Sequence, residues 1–185
     1  MTNELVWHNG SIKENQPVFS ATERGVLYGD GVFDTMFAFS GSVFRFDAHC
    51  KRLRSACAFF QIPLRFADSD FDAAVRGLLG RLNVETAYIR ITVTRGTQTR
   101  KGLTIPDNAC PEVMIFAKPY APPPEEAYAE GRTAVVSEIP WNADSPVKRY
   151  KTLNMLENIL IREAAAEKGA SEALVPNTKG FLAEG

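Results

Sequence analysis

The 185 residues are 45% hydrophobic and 23% charged, with a formal net charge of −1, which describes an ordinary globular chain with room for one domain or two small ones. Near-neutral charge leaves no electrostatic footprint for nucleic acid, the one cationic cluster being Lys148, Arg149 and Lys151. No apolar run approaches the ~20 residues of a membrane helix, and the opening MTNELVWHNG lacks the basic-then-apolar order of a signal peptide, so a cytoplasmic location away from membranes is expected.

Taken in order, the chain opens in β structure. Asn9-Gly10 marks a hairpin, a Gly-rich segment covers residues 24–34, and Ser40-Gly41 marks a second turn. From Asp47 the period changes: Leu53, Ala56, Cys57 and Phe60 recur at helical spacing until Pro63. Phe71, Ala74, Val75, Leu78, Leu79 and Leu82 repeat the pattern, with Ser69 and Asp72 spaced as a capping box. Residues 86–94 alternate, placing Ala87, Ile89, Ile91 and Val93 on one face and Tyr88, Arg90, Thr92 and Thr94 on the other, as in a half-buried strand. VMIFA at 113–117 is a further strand. The prolines at 119, 122, 123 and 124 favour an extended, stiff linker, and the domain boundary is placed there. Beyond it the pattern predicts a strand near 133–138, a helix from about Leu153 that Gly169 closes, and a strand at 172–175. The expected division is an N-terminal small domain over 1–118, a linker over 119–128, and the first part of a second domain over 129–185.

Several residue types can be set aside. Cys50, Cys57 and Cys110 form no CxxC pair, and His8 and His49 lack a second histidine at ligand spacing. A disulfide framework, a structural zinc site and a Ser-His-Asp triad are therefore not indicated, and no metal is expected. Chemistry falls to lysine, arginine, carboxylates or an organic cofactor.

Four segments carry candidates. In RGVLYGDGVFDT, Gly25, Gly29 and Gly31 permit a tight loop beside a ligand, or equally a plain turn between strands. No helix follows these glycines, so they are not a dinucleotide fingerprint. In FRFDAHCKRL, His49 and Arg52 share a helix face, and the planar fork of Arg52 suits a phosphate as well as it suits solvent. In TRGTQTRKG, Arg95 and Arg100 stand on a loop at a strand end, a place for carboxylate recognition or for simple exposure. In KRYKTLNMLENILIREA, Lys151 precedes a helix with Leu153, Leu156, Ile159 and Leu160 as its apolar stripe. A lysine beside other cations and partly desolvated gives up its proton more readily and becomes a nucleophile; by composition alone it is a surface residue.

Together and in this order, RGVLYGDGVFDT, FRFDAHCKRL, YKTLN and KGASEALVPNTKGFLAEG resemble the fold type IV pyridoxal-phosphate enzymes. This is the class IV aminotransferase group of branched-chain and D-amino acid aminotransferases and aminodeoxychorismate lyases. The resemblance covers residues 7–185 and implies a two-domain α+β fold with the C-terminal domain truncated, pyridoxal 5′-phosphate as cofactor, and a homodimer acting on amino acids and 2-oxo acids. It implies that Lys151 binds the cofactor covalently and then carries a proton, that Glu184 faces the pyridine nitrogen, and that Arg52 holds the phosphate. Tyr28 resembles the family's tyrosine at the substrate carboxylate and Phe33 a pocket wall. Arg100 matches the loop arginine of D-amino acid aminotransferases, although Gly102 stands where that subgroup has a histidine. Asp34, followed by Thr35-Met36, departs from the branched-chain pattern. The Arg-Gly pattern of the loop and KTLNMLENILIRE also resemble aminodeoxychorismate lyases, so pyruvate elimination is the alternative to amino transfer. Because the sequence stops at Gly185, shortly after a strand and turn, the second domain is expected to have little to bury and to bind cofactor weakly. A non-catalytic fragment serving as an interaction surface is the further alternative.

Overall fold

A computed structural model describes residues 3–98 and 102–185. The chain divides into two compact units, Met1–Ala121 and Pro122–Gly185. The division falls inside the Pro-rich stretch, whose irregular part is shorter than the sequence suggests. Pro119 ends a strand, and a helix starts directly after Pro124.

In the first unit, β1 (Leu5–His8) and β2 (Ser11–Glu14) form a hairpin across Asn9 and Gly10, both at positive φ, the two-residue turn whose twist matches the strands it joins. A short helix α1 (Arg24–Tyr28) follows and then β3 (Gly31–Phe39), so half of the Gly-rich segment is helical instead of a loop. Gly29 ends α1 at φ 66°, where a glycine carries no steric cost. A turn at Ser40 and Gly41 leads to β4 (Ser42–Val43), then α2 (Phe46–Phe59), α3 (Asp68–Leu82), β5 (Thr86–Thr94) and β6 (Glu112–Pro119). Among the described residues these strands make a six-stranded antiparallel sheet in the order β2-β1-β6-β5-β3-β4.

β3 and β5 pair over their full length, from Gly31 opposite Thr94 to Phe39 opposite Thr86. That register puts Val32, Met36 and Ala38 on the same face as Ala87, Ile89, Ile91 and Val93, and β6 adds Val113, Ile115 and Ala117. All are buried. The helices cover this face with Leu53, Ala56 and Cys57 from α2 and Phe71, Val75 and Leu78 from α3, each large side chain adding roughly 1.5–3 kcal/mol of hydrophobic stabilisation. Burial pushes the Cys57 thiol up to about 11 and the Cys50 thiol, with help from nearby Asp68, to about 12, so both are packing groups. β5 departs from simple alternation at its end, where Thr92 and Thr94 are buried as well.

The α3 helix starts differently from its sequence signature. Its N-cap is Ala67, whose N–H donates to the Asp70 carboxylate at 2.7 Å; alanine has no oxygen to return the bond. Ser69 and Asp72 lie inside the helix, and Asp72 pairs with Arg76 one turn on.

The second unit holds α4 (Glu125–Glu130), β7 (Ala134–Val136), a 3-10 turn at Pro146–Arg149, α5 (Leu156–Glu167), β8 (Glu172–Pro176) and β9 (Leu182–Glu184). β7 and β8 are parallel, with α5 in the crossover between them, and β9 adds antiparallel to β8. α5 closes in a Schellman arrangement: Gly169 takes φ 73°, its N–H donates to the Ala166 carbonyl, and the Ala170 N–H donates to that of Ala165. The core is small: Ile161 and Ala165 of α5 pack with Ala170, Ala173 and Val175, flanked by Val135 and Trp141. The stripe read from the sequence is therefore not the packed face, for Leu156 is 78% and Leu160 61% exposed. α5 is apolar on two sides, and only contact with β8 selects one.

Two glycine substitutions should move stability in opposite directions. A Cβ at Gly96, which has φ 91°, would run into the Cys110 carbonyl oxygen, whereas Gly80 on α3 has open space around it. Urea unfolding should show Gly96→Ala losing several kcal/mol, on the order of a severe backbone clash, and Gly80→Ala gaining about 0.5–1 kcal/mol.

Candidate active site

The segment from Glu23 to Asp34 is held by charges taken out of water. Glu23 is buried and accepts from the N–H of Val26 and of Gly96, both at 3.1 Å, tying α1 to the end of β5. Gly25 makes that approach possible, since a Cβ there would meet Thr94 Cγ2 at 2.6 Å and Glu23 Oε2 at 2.7 Å. Arg24 donates from Nε to Asp30 at 2.6 Å and from its two Nη atoms to the carbonyls of Gly102 and Leu103, each at 3.2 Å, and to the Gln98 side chain. Its guanidinium carbon also lies 5.2 Å from the centre of the Tyr28 ring.

Arg95 is not a carboxylate-recognition residue at an open loop. It is 4% exposed, donates to Asp30 at 2.8 Å, and caps the end of α2 through the carbonyls of Phe60 and Gln61, also at 2.8 Å. Burial tends to raise the Asp30 carboxyl, but the hydrogen bonds and charges of Arg95 and Arg24 outweigh it and hold the group below its ordinary value. Sequence reading passed over Glu23 and Asp30, because the pattern of the segment says nothing about which carboxylates face inward.

Arg52 stands near the middle of α2, with Nε 2.6 Å from Asp34 Oδ2 and Nη2 2.8 Å from Asp34 Oδ1. His49 Nδ1 is 2.8 Å from the same Oδ1 and 3.2 Å from Arg52 Nη2. Hydrogen bonding to Asp34 raises the Arg52 pKa further, keeping it a cation. Phe33, on the opposite face of β3, is buried under the guanidinium of Arg90, which lies 3.6 Å from the ring centre. Arg90 is a cation that the sequence reading placed on a face but did not single out; the period-two pairing of β3 with β5 is the signal that brings it to Phe33. Tyr28 is exposed at the end of α1. Arg100 lies outside the described residues.

In the second unit, Lys151 and Glu184 line one cleft of about 460 Å³, together with Asn158, Arg162, Glu163 and Glu172. Lys151 is exposed instead of partly desolvated. Its neighbour in sequence Lys148 is engaged by Glu157 and by the Trp141 ring, 4.4 Å from its centre. Glu184 reaches the cleft because β9 pairs with β8, Val175 standing opposite it. The cleft is thus lined by a primary amine able to condense with a carbonyl, by carboxylates able to accept from an N–H donor, and by a guanidinium.

The model of the class IV amino-transferase family matches residues 31–185. The chain belongs to the class IV aminotransferase family. A D-alanine aminotransferase of Staphylococcus haemolyticus is 30% identical over 170 residues, which are 91% of this chain and 59% of that protein. A branched-chain amino acid aminotransferase from T.th., solved with pyridoxamine 5′-phosphate, superposes with a TM-score of 0.89 at 25% identity, over 97% of this chain and 61% of the other. A 4-amino-4-deoxychorismate lyase from Pseudomonas aeruginosa gives a TM-score of 0.76 at 25% identity, over 95% and 62%. The fold is thus the α+β arrangement of class IV aminotransferases, and the chain spans about three fifths of the length of these relatives. Among the described residues, no helix of this family member is long and apolar enough to cross a membrane.

The Asp30 network makes acid stability testable. With its pKa depressed in the folded state, Asp30 contributes stability that is fully present above about pH 4 and is lost as pH falls through the lower folded value. Unfolding free energies should place Asp30→Asn roughly 2–3 kcal/mol below the parent at pH 7. The gap should narrow as the pH is taken below 4.

Proposed function

We propose that this family member is a pyridoxal 5′-phosphate-dependent aminotransferase that moves an amino group between an amino acid and a 2-oxo acid. The observation that carries the proposal is the cleft shared by the Lys151 amine and the Glu184 carboxylate, in a chain of the class IV aminotransferase family. When bound, pyridoxal 5′-phosphate supplies a reactive carbonyl and a ring that takes up the electron pair left on the substrate carbon.

The chain's own groups do the rest. Lys151 would hold the cofactor through its side-chain nitrogen and, once displaced by substrate, would carry a proton between the substrate α-carbon and C4′ of the cofactor. The Glu184 carboxylate would accept a hydrogen bond from the ring nitrogen and so keep that nitrogen protonated. Arg52, with a fixed charge and a planar fork, is the proposed ligand of the phosphate. Tyr28 is proposed to donate to the substrate carboxylate, with Phe33 as an apolar wall and Arg100 as a further carboxylate partner. A homodimer in the cytoplasm is the proposed working form.

Pyruvate elimination is the second reading, favoured by the fold similarity to the lyase. The two diverge in one assay. Amino transfer requires a 2-oxo acid acceptor and makes a new amino acid, whereas release of pyruvate from aminodeoxychorismate without any acceptor identifies the lyase.

Titrating the chain with pyridoxal 5′-phosphate should produce the long-wavelength absorbance of lysine-bound cofactor, and Lys151→Ala should abolish it. Persistence of the band in that variant means that another amine holds the cofactor.

A further inference from the structure

We propose that Asp34 is a positioning residue for anion binding by Arg52, presenting the unused edge of the guanidinium to the phosphate of the cofactor. The proposal rests on Arg52 as the phosphate ligand.

Asp34 is out of place on its strand. It occupies the helix-covered face of β3 between Val32 and Met36 and is 1% exposed. A carboxylate in such a place is retained only when its charge and both oxygens are satisfied. Oδ2 takes the Arg52 Nε–H at 2.6 Å, and Oδ1 takes Nη2–H at 2.8 Å and lies 2.8 Å from His49 Nδ1.

The partner is placed in the opposite way. Arg52 is 51% exposed, so one edge of its guanidinium is fixed against a buried carboxylate while the rest reaches solvent. Of its five N–H donors, the bidentate pair uses the one on Nε and one on Nη2. Nη2 also lies 3.2 Å from His49 Nδ1, but a ring nitrogen that donates its proton to Asp34 has no lone pair to offer the guanidinium. Among the described residues the second N–H of Nη2 and the pair on Nη1 therefore form the open edge, whose spacing matches two oxygens of a tetrahedral oxyanion.

Two effects of Asp34 on a bound phosphate oppose each other. Its negative charge repels the anion, but that charge is already paired with the Arg52 guanidinium and hydrogen-bonded by His49. Its hydrogen bonds freeze a long side chain that would otherwise lose rotamer freedom on binding. With the repulsion compensated locally, preorganisation dominates, and removing the carboxylate weakens phosphate binding even though it makes the surface more positive.

The test compares pyridoxal 5′-phosphate with pyridoxal by equilibrium titration of the full chain. The dissociation constant of pyridoxal divided by that of its phosphate reports the phosphate alone. Arg52→Gln should lower that ratio roughly tenfold, the scale of a lost charged hydrogen bond. Asp34→Asn should lower it several-fold in the parent background and leave it unchanged when Arg52 is already glutamine. A role of Asp34 in folding alone would affect both ligands equally and would persist in the double variant. An Asp34→Asn protein that keeps or strengthens phosphate preference, while Arg52→Gln loses it, overturns the positioning role and leaves Arg52 as ligand. An unchanged ratio in Arg52→Gln removes the ligand assignment itself. A measurement on the unsubstituted chain needs no variant to fold: the Arg52 Nε–H resonance should be sharp, slow to exchange, and shifted by inorganic phosphate. A rapidly exchanging resonance that does not respond to phosphate overturns the proposal.

Discussion

The first unit turns on one carboxylate. Asp30 accepts from Arg24 at 2.6 Å and from Arg95 at 2.8 Å; Arg95 directs its other donors at backbone carbonyls, and Arg24 directs its own at backbone carbonyls and the Gln98 side chain. Arg95 thereby caps the end of α2, and Arg24 holds the carbonyls of Gly102 and Leu103. Two nearly buried guanidinium groups without Asp30 would leave uncompensated charge in a low-dielectric setting, a cost of several kcal/mol. The junction therefore exists as a unit. It fixes the entry to β3, and β3 carries both Phe33 and Asp34.

From that entry, the pairing of β3 with β5 decides what each residue faces. A shift by one residue would exchange the two faces of β3, turning Asp34 outward and Phe33 into the helical layer. In the observed register, Asp34 meets Arg52 and His49 on α2, and Phe33 meets Arg90 on the opposite face. The sheet thus separates a carboxylate-paired arginine from an aromatic-cation pair, on two sides of one strand.

The second unit obeys a different constraint. Its three short strands and one long helix enclose only a handful of buried side chains, while Leu156, Leu160, Phe181 and Leu182 remain exposed. Yet the cleft needs little core: β9 need only pair with β8 for Glu184 to share a cavity with Lys151. Local pairing, instead of deep packing, brings the amine and the carboxylate together.

Much of this was legible in the chain itself. The alternation over residues 86–94, the helical spacing of Leu53, Ala56 and Cys57, and the glycines at 10, 29 and 169 report local geometry, which side-chain period and backbone sterics determine. Motif order was enough to indicate the family, because four segments have to agree. Where the sequence was silent, the deciding energy came from residues distant along the chain. Whether Arg95 is open or sealed depends on Asp30 and the end of α2; which side of α5 is packed depends on β8; where Asp34 points depends on the β5 register. A lysine in YKTLN identifies a lineage, but only the return of β9 alongside β8 puts Glu184 in its cleft. Local propensity wrote the elements, and the pairing of charges and strands distant along the chain decided which side chains meet.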